Sequence, residues 1–172
     1  MSDLFEQVTA DQDPLKKIVS LIPGFGGYIE RQNRRAADKL LRETIGAKFR
    51  EQWKRVGDAQ QELTAAGEIT SLDDMEKAAM KIQTFIDKIE NASYGQSSFF
   101  DSVKINEEEL AKIYEFDASL LDMAAGIASA LDNILASIGT DGLPAAVNHL
   151  VTLSRDLVTA FEGRDQVIMA AK

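Results

Sequence analysis

Leu110-Ala111-Lys112-Ile113-Tyr114-Glu115-Phe116-Asp117-Ala118-Ser119-Leu120-Leu121-Asp122-Met123-Ala124-Ala125-Gly126-Ile127-Ala128-Ser129-Ala130-Leu131-Asp132-Asn133-Ile134-Leu135-Ala136-Ser137-Ile138 is the stretch whose reading decides the fold. Its seam runs Ile113, Asp117, Leu120, Ala124, Ile127, Leu131, Ile134 and Ile138, in alternating steps of three and four. Such steps keep one side of a helix facing one way, whereas a strand needs an apolar residue at every second position. Tyr114, Leu121, Ala128 and Leu135 form a second stripe that broadens the face, so this helix is expected to be central. One carboxylate, Asp117, interrupts the seam.

Working outward, Asn106 and Glu109 have the spacing of a capping box at the start of this helix. The preceding stretch, Asn91 to Ile105, has no period and reads as a loop carrying aromatics such as Phe99 and Phe100. Before it, Ser71 caps a segment with the seam Leu72, Met75, Ala79, Ile82, Ile86 and Ile89, widened by Phe85, and Asp74 completes a capping-box-like pattern. From Tyr28 to about Ala66 the stripe is Ala37, Leu41, Ile45, Phe49, Trp53, Val56 and Leu63, ending at Gly67. Gly46 and Gly57 each cost roughly 1 kcal/mol relative to alanine inside this segment, so a bend or break at either is an open alternative to one helix of ~58 Å. On the C-terminal side, Gly139 to Gly142 reads as a turn. Pro144 then starts a last helix with Val147, Leu150, Leu153 or Ser154, Leu157, Phe161 and Ile168 inside. A short helix from Pro14 to about Leu21 precedes the breaker Ile22-Pro23-Gly24-Phe25-Gly26-Gly27.

Four long amphipathic segments predict an all-α protein: an elongated up-and-down four-helix bundle with a short extra N-terminal helix. Residues 1–13 read as a flexible acidic N-terminus and residues 14–172 as one helical-bundle domain. The 172 residues, 45% hydrophobic, suffice for a single core.

With 28 acidic and 19 basic side chains the formal charge is −9, which opposes uniform attraction to polyphosphate. Cysteine is absent, so disulfides, thiolate nucleophiles and Cys-ligated metal sites are excluded. His149 is the only histidine. A di-iron bundle wants two Glu-x-x-His pairs, and Ala146 stands where His149 would need a glutamate. Ser154 and Asp156 do not converge on His149 as a triad requires. No catalytic residue, cofactor or metal site is therefore expected. The glycine loop after Ile22 follows no strand and leads to no Gly-Lys-Ser/Thr, so it is not read as a phosphate cradle. The acidic first twenty residues lack the pattern of a signal peptide, and the longest run without a formal charge is the thirteen residues Gly142 to Ser154. No membrane span and a cytoplasmic location are expected.

Charge is segregated. Residues 28–56 hold nine bases and four acids, a net of +5 inside an acidic chain. One reading makes this helix complementary to acidic helices beside it, or a solvated face; another makes it a surface for anionic lipid, and nucleic acid is disfavoured. Under the lipid reading the contact residues are Lys16, Lys17, Arg31, Arg34, Arg35 and Lys39. Asp117 on the buried seam needs a partner, and Arg34, Arg35 or Arg42 can supply a two-pronged ion pair.

Pro23-Gly24-Phe25-x-Gly27-Tyr28, then Arg34-Arg35-x-x-Asp38-x-x-Leu41-Arg42, and later Tyr114-x-Phe116-Asp117-x-x-Leu120-Leu121, resembles a pattern in uncharacterised bacterial helical proteins. The resemblance implies that the glycine loop, the arginines and Asp117 belong to one framework, and it implies no activity. The functional expectation is a non-enzymatic protein that binds another protein or a copy of itself. The alternative is a peripheral membrane factor binding anionic lipid through residues 15–55.

Overall fold

The computed structural model describes residues 14–30, 34–91 and 107–170. Residues 1–13, Arg31 and the aromatic stretch 92–106 lie outside the described residues, as do the side chains of Arg34, Arg35, Glu109 and Ile168. Every described element is helical: α1 Pro14–Leu21, α2 Phe25–Glu30, α3 Arg34–Ala65, a 3₁₀ turn Ile69–Ser71, α4 Leu72–Asn91, α5 Glu107–Ser137 and α6 Leu143–Ala170.

Two expectations are corrected at the N-terminal end. The breaker at 22–27 is shorter than predicted: only Ile22, Pro23 and Gly24 leave the helix. Gly24 takes φ +85°, and α2 then begins at Phe25 and runs through Gly26 and Gly27. Phe25 is thus not a loop aromatic but a fully buried core side chain, meeting the Tyr114 ring edge-on at 5.6 Å. The second correction concerns length. Tyr28 belongs to α2 and not to the long helix, whose 32 described residues Arg34–Ala65 span ~48 Å, and neither Gly46 nor Gly57 breaks it.

α3 ends as expected. Gly67 adopts φ +79°, its N–H reaches the Thr64 carbonyl at 3.1 Å, and the Glu68 N–H reaches the Leu63 carbonyl at 2.9 Å. These two bonds satisfy carbonyls that the last helical turn leaves open, and a left-handed residue is needed to aim them. The capping box predicted at Ser71 is replaced by the 3₁₀ turn, and the Asp74 carboxylate accepts a hydrogen bond from Lys77 at 2.8 Å.

The long helices close a ring. Extensive contacts join α3 to α4, α4 to α6, α6 to α5 and α5 to α3. α4 and α5, consecutive in the chain, therefore face one another across the core. Phe25 of α2 packs on the first third of α5, and α2 adjoins the start of α3, so α3 and α5 start at the same end and run parallel. The tight turns 66–71 and 138–142 both sit at the other end.

The predicted seams fill the core. Met75, Ile82, Phe85, Ile86 and Ile89 from α4, Ile113, Leu120, Ile127, Leu131 and Ile134 from α5, and Val147, Leu150, Leu157 and Phe161 from α6 are buried. Phe49, Phe85 and Phe161 form an edge-on chain, with centroids 4.6 Å and 5.8 Å apart, that links α3, α4 and α6. Each ring contributes about 1.5–3 kcal/mol through burial. α5 contacts α1, α3 and α6, as the width of its apolar face predicts. Leu135, placed on its second stripe by the sequence, is instead exposed.

α5 carries an apolarity that runs of uncharged residues do not reveal. The helix is long and apolar enough to cross a membrane by length and composition: an eighteen-residue stretch within Ala111–Ser137 has a mean hydropathy of 1.3, because its two charges do not defeat that average. In the structure 44% of that stretch is buried by the neighbouring helices.

Candidate interaction surface

The residues of the predicted Asp117 cluster are found at the end of the molecule where α1 and α2 pack. Asp117 is fully buried, as its place on the seam requires, and it is engaged in a polar or electrostatic contact. Arg42, one of its three expected partners, is instead held within α3. Its Nε donates to Asp38 Oδ2 at 2.8 Å, and both side chains are 6% exposed. The physical reason is spacing: residues four apart on a helix are stacked one turn above the other, so Asp38 reaches Arg42 without help from tertiary structure. Arg34 and Arg35, the other expected partners, have side chains outside the described set.

The basic helix meets acids on both flanks. Arg50 donates to Glu90 of α4, Arg55 to Asp132 of α5, and Lys39 lies 3.9 Å from Glu43. Arg55 Nη1 also donates to the side-chain oxygen Oε1 of the buried Gln52 at 3.1 Å. Lys17 of α1 is bonded to Asp122 of α5. Among the residues named for an anionic surface, Lys17 and Lys39 are thus in ion pairs and Lys16 is exposed; Arg31, Arg34 and Arg35 lie outside the described side chains. Of the six bases of residues 28–56 whose side chains are described, Arg50 and Arg55 pair with acids of neighbouring helices, Lys39 and Arg42 pair with acids of α3 itself, and Lys48 and Lys54 take part in no ion pair among the described residues.

His149 is exposed on α6. Ser154, fully buried, donates to the Leu150 carbonyl at 2.8 Å, the usual way for a helical serine to satisfy itself. Among the described residues no group of three or more His, Asp or Glu side chains is arranged to hold a metal ion.

The surface that the sequence reading missed lies on the outside of α3 and α4. Trp53, placed on the buried stripe, is 39% exposed, and Gln52 takes the interior position. The spacing explains the exchange. Each step of four advances a side chain about 40° beyond a full turn, so Leu41, Ile45, Phe49 and Trp53 walk around the helix, and the fourth has left the core sector. Gln52, Val56, Ala59 and Leu63 resume it. Met80 of α4, 62% exposed, stands on the same side of the molecule. Between them lies a depression of about 750 Å³ walled by Trp53, Ala79 and Met80 and floored at Gly57. A second depression of about 790 Å³ shares Gly57, Gln60, Gln61 and Glu76 and continues the groove to Thr64 and Leu72. Lys54, Asp58, Glu76 and Asp87 line its edges. Near the far end, the bond from Lys77 to Asp74 raises the lysine pKa above its ordinary value.

The two glycines of α3 differ along this face. A Cβ built on Gly46 would lie 2.9 Å from Glu90 Oε1 and 3.1 Å from its Cγ, so the side chain from α4 lies across the bare backbone. At Gly57 a Cβ would meet nothing within 4 Å. Compared with protein-family models, with curated proteins and with solved structures, the chain matches none of them.

Proposed function

We propose that this chain is a non-enzymatic interaction protein: an elongated up-and-down four-helix bundle with a short extra N-terminal helix, which presents the outer face of α3 and α4 to a protein partner. The observation that carries the reading is the exposure of the chain's single tryptophan beside Met80 over a continuous groove. Tryptophan is the residue most concentrated at energetically dominant interface positions, and methionine adapts its shape to a partner. The ion pairs from Arg50 and Arg55 to neighbouring helices add support, because they weaken the rival reading in which residues 15–55 hold anionic lipid.

Affinity purification from native lysate tests the proposal with three baits: the parent chain, Trp53→Ala with Met80→Ser, and a folded variant with Arg34 and Arg35 neutralised, Arg42 being kept because it is buried against Asp38. A protein retained by the parent and lost by the folded Trp53 variant supports the α3/α4 face. Loss only with the arginine variant moves the working surface to the other end of α3. Salt-sensitive flotation with phosphatidylserine vesicles, with no protein captured, replaces the proposal by the membrane reading.

A further inference from the structure

We propose that the groove between α3 and α4 receives a basic amphipathic helix of another protein, its apolar stripe seated over Trp53, Gly57 and Met80 and its cations against the acids of the rim. The inference rests on the protein-binding reading above and names the chemistry of the partner. Its first support is charge. The depression walled by Trp53 and Met80 is lined by Asp58 of α3 and by Glu76 and Asp87 of α4, against the single base Lys54, and its continuation adds Asp73 and no base. Among the described residues Asp58, Glu76 and Asp87 take part in no ion pair. Gln60 donates to Glu76 at 3.1 Å and Gln83 to Asp87 at 2.8 Å, and a neutral amide leaves each charge in place. The other seams between helices carry opposite charges: Lys17 with Asp122 between α1 and α5, Arg55 with Asp132 between α3 and α5, Lys88 with Glu162 between α4 and α6, and Arg50 with Glu90 nearer the start of α3. At the groove, acids line both walls. A chain of formal charge −9 also draws a cationic segment toward it and repels a copy of itself.

The second support is shape. The groove runs from Trp53 to Thr64 on α3 and from Leu72 to Asp87 on α4, ~17 Å and ~22 Å along the two helices, which is three to four turns of a third. Gly57 keeps its floor low: a Cβ there would meet nothing within 4 Å, so the space above is open to a side chain from outside. Gly46, by contrast, is covered from within the fold by Glu90. Trp53 and Met80 supply the apolar contact, one broad and rigid, the other adaptable.

The backbone selects the partner's conformation. Both walls are α-helices whose main-chain donors and acceptors are bonded within themselves, so they offer an extended peptide no edge to pair with. A helix brings its own hydrogen bonds and needs only side-chain contacts: apolar residues three and four apart for the floor, and lysines or arginines on its flanks for the two acidic walls.

Fluorescence titration tests the proposal, because Trp53 is the chain's single tryptophan and reports from the groove itself. The probe is a tryptophan-free peptide, two copies of Leu-Lys-Lys-Leu-Leu-Lys-Lys, whose leucines fall on one side of a helix. The expected result is a saturable move of Trp53 emission to shorter wavelength, weakened by salt. The same peptide with Glu for every Lys should give no shift, and with Ser for every Leu should bind at least about tenfold more weakly. Asp58→Lys with Glu76→Lys should weaken binding of the lysine peptide at least about tenfold, as should Gly57→Leu, a change to a good helix former that leaves the helical circular dichroism intact. Glu115→Lys with Asp156→Lys, exposed acids outside the groove, makes the same change in net charge and should alter binding less than about twofold. No shift of Trp53 emission overturns the proposal, as do an equal response to the glutamate peptide, indifference to Gly57→Leu, and equal weakening by the two charge-reversed pairs. A protein captured from lysate through Trp53 and not displaced by the lysine peptide overturns the basic-helix assignment and leaves the protein-binding reading standing.

Discussion

Gly46→Ala and Gly57→Ala make the same chemical change on one helix and should differ in outcome. Both remove the conformational freedom that glycine gives the unfolded chain, a gain of about 1 kcal/mol inside a helix. At Gly57 nothing opposes it, since the new methyl meets no atom within 4 Å. Measured at low concentration, that variant should be stabilised by about 1 kcal/mol, or about 2–4 °C in Tm for a chain of this size. At Gly46 the methyl would stand 2.9 Å from Glu90 Oε1 and 3.1 Å from its Cγ, so Glu90 must swing away and release Arg50. A partly exposed ion pair is worth about 0.2–1 kcal/mol, and its loss together with local repacking offsets the helical gain. The Gly46 variant should therefore unfold within a few tenths of a kcal/mol of the parent, or slightly below it. Urea unfolding followed by circular dichroism reads both. The decisive comparison repeats Gly46→Ala in a Glu90→Ala background, where the obstruction is gone and the full gain of about 1 kcal/mol should reappear as a coupling energy. Equal stabilisation by both glycine substitutions, with zero coupling to Glu90, would refute the close crossing of α3 and α4 at this point.

Asp38→Ala should destabilise by about 3–5 kcal/mol by stranding the buried Arg42 guanidinium, and replacing both residues by apolar side chains of similar volume should recover most of the loss in the same urea assay. Asp117→Ala should lower the unfolding midpoint clearly, because the carboxylate is fully buried and engaged; an unchanged midpoint would contradict its burial. Phe85→Ala removes the middle ring of the Phe49–Phe85–Phe161 chain and should cost about 3–5 kcal/mol, with loss of near-ultraviolet dichroism before loss of helix. Anionic vesicles should fail to retain the protein at physiological salt, since Lys17, Arg50 and Arg55 already face acids within the fold; flotation with the vesicles would contradict this.

Much of the architecture was legible because helix packing writes a period into the chain. The seams of α4, α5 and α6, the Gly67 terminator and the burial of Asp117 all follow from residues three and four apart, a relation that any helix imposes whatever it packs against. The candidate surface was less legible. Trp53 matched the stripe by step size, yet three successive steps of four had already turned it away from the core, and only the accumulated angle reveals that. Gly57 read as a weak point in a helix, because open space above a residue belongs to the neighbours and not to the residue. Asp117 announced a need for a cation without saying which one, and Arg42 had a nearer carboxylate in Asp38.

The amino-acid sequence by itself determined that the described chain is helical and which side chains fill most of the core, Trp53, Gln52 and Leu135 excepted, since these depend on local spacing and on the transfer of apolar surface from water. Tertiary structure alone decided that α3 lies beside α5 and α4 beside α6, that Glu90 crosses Gly46, and that Trp53 stands at the edge of an open groove. Those outcomes depend on how four similar faces divide the core among themselves, and helices with equivalent stripes carry no record of their neighbours until they have packed.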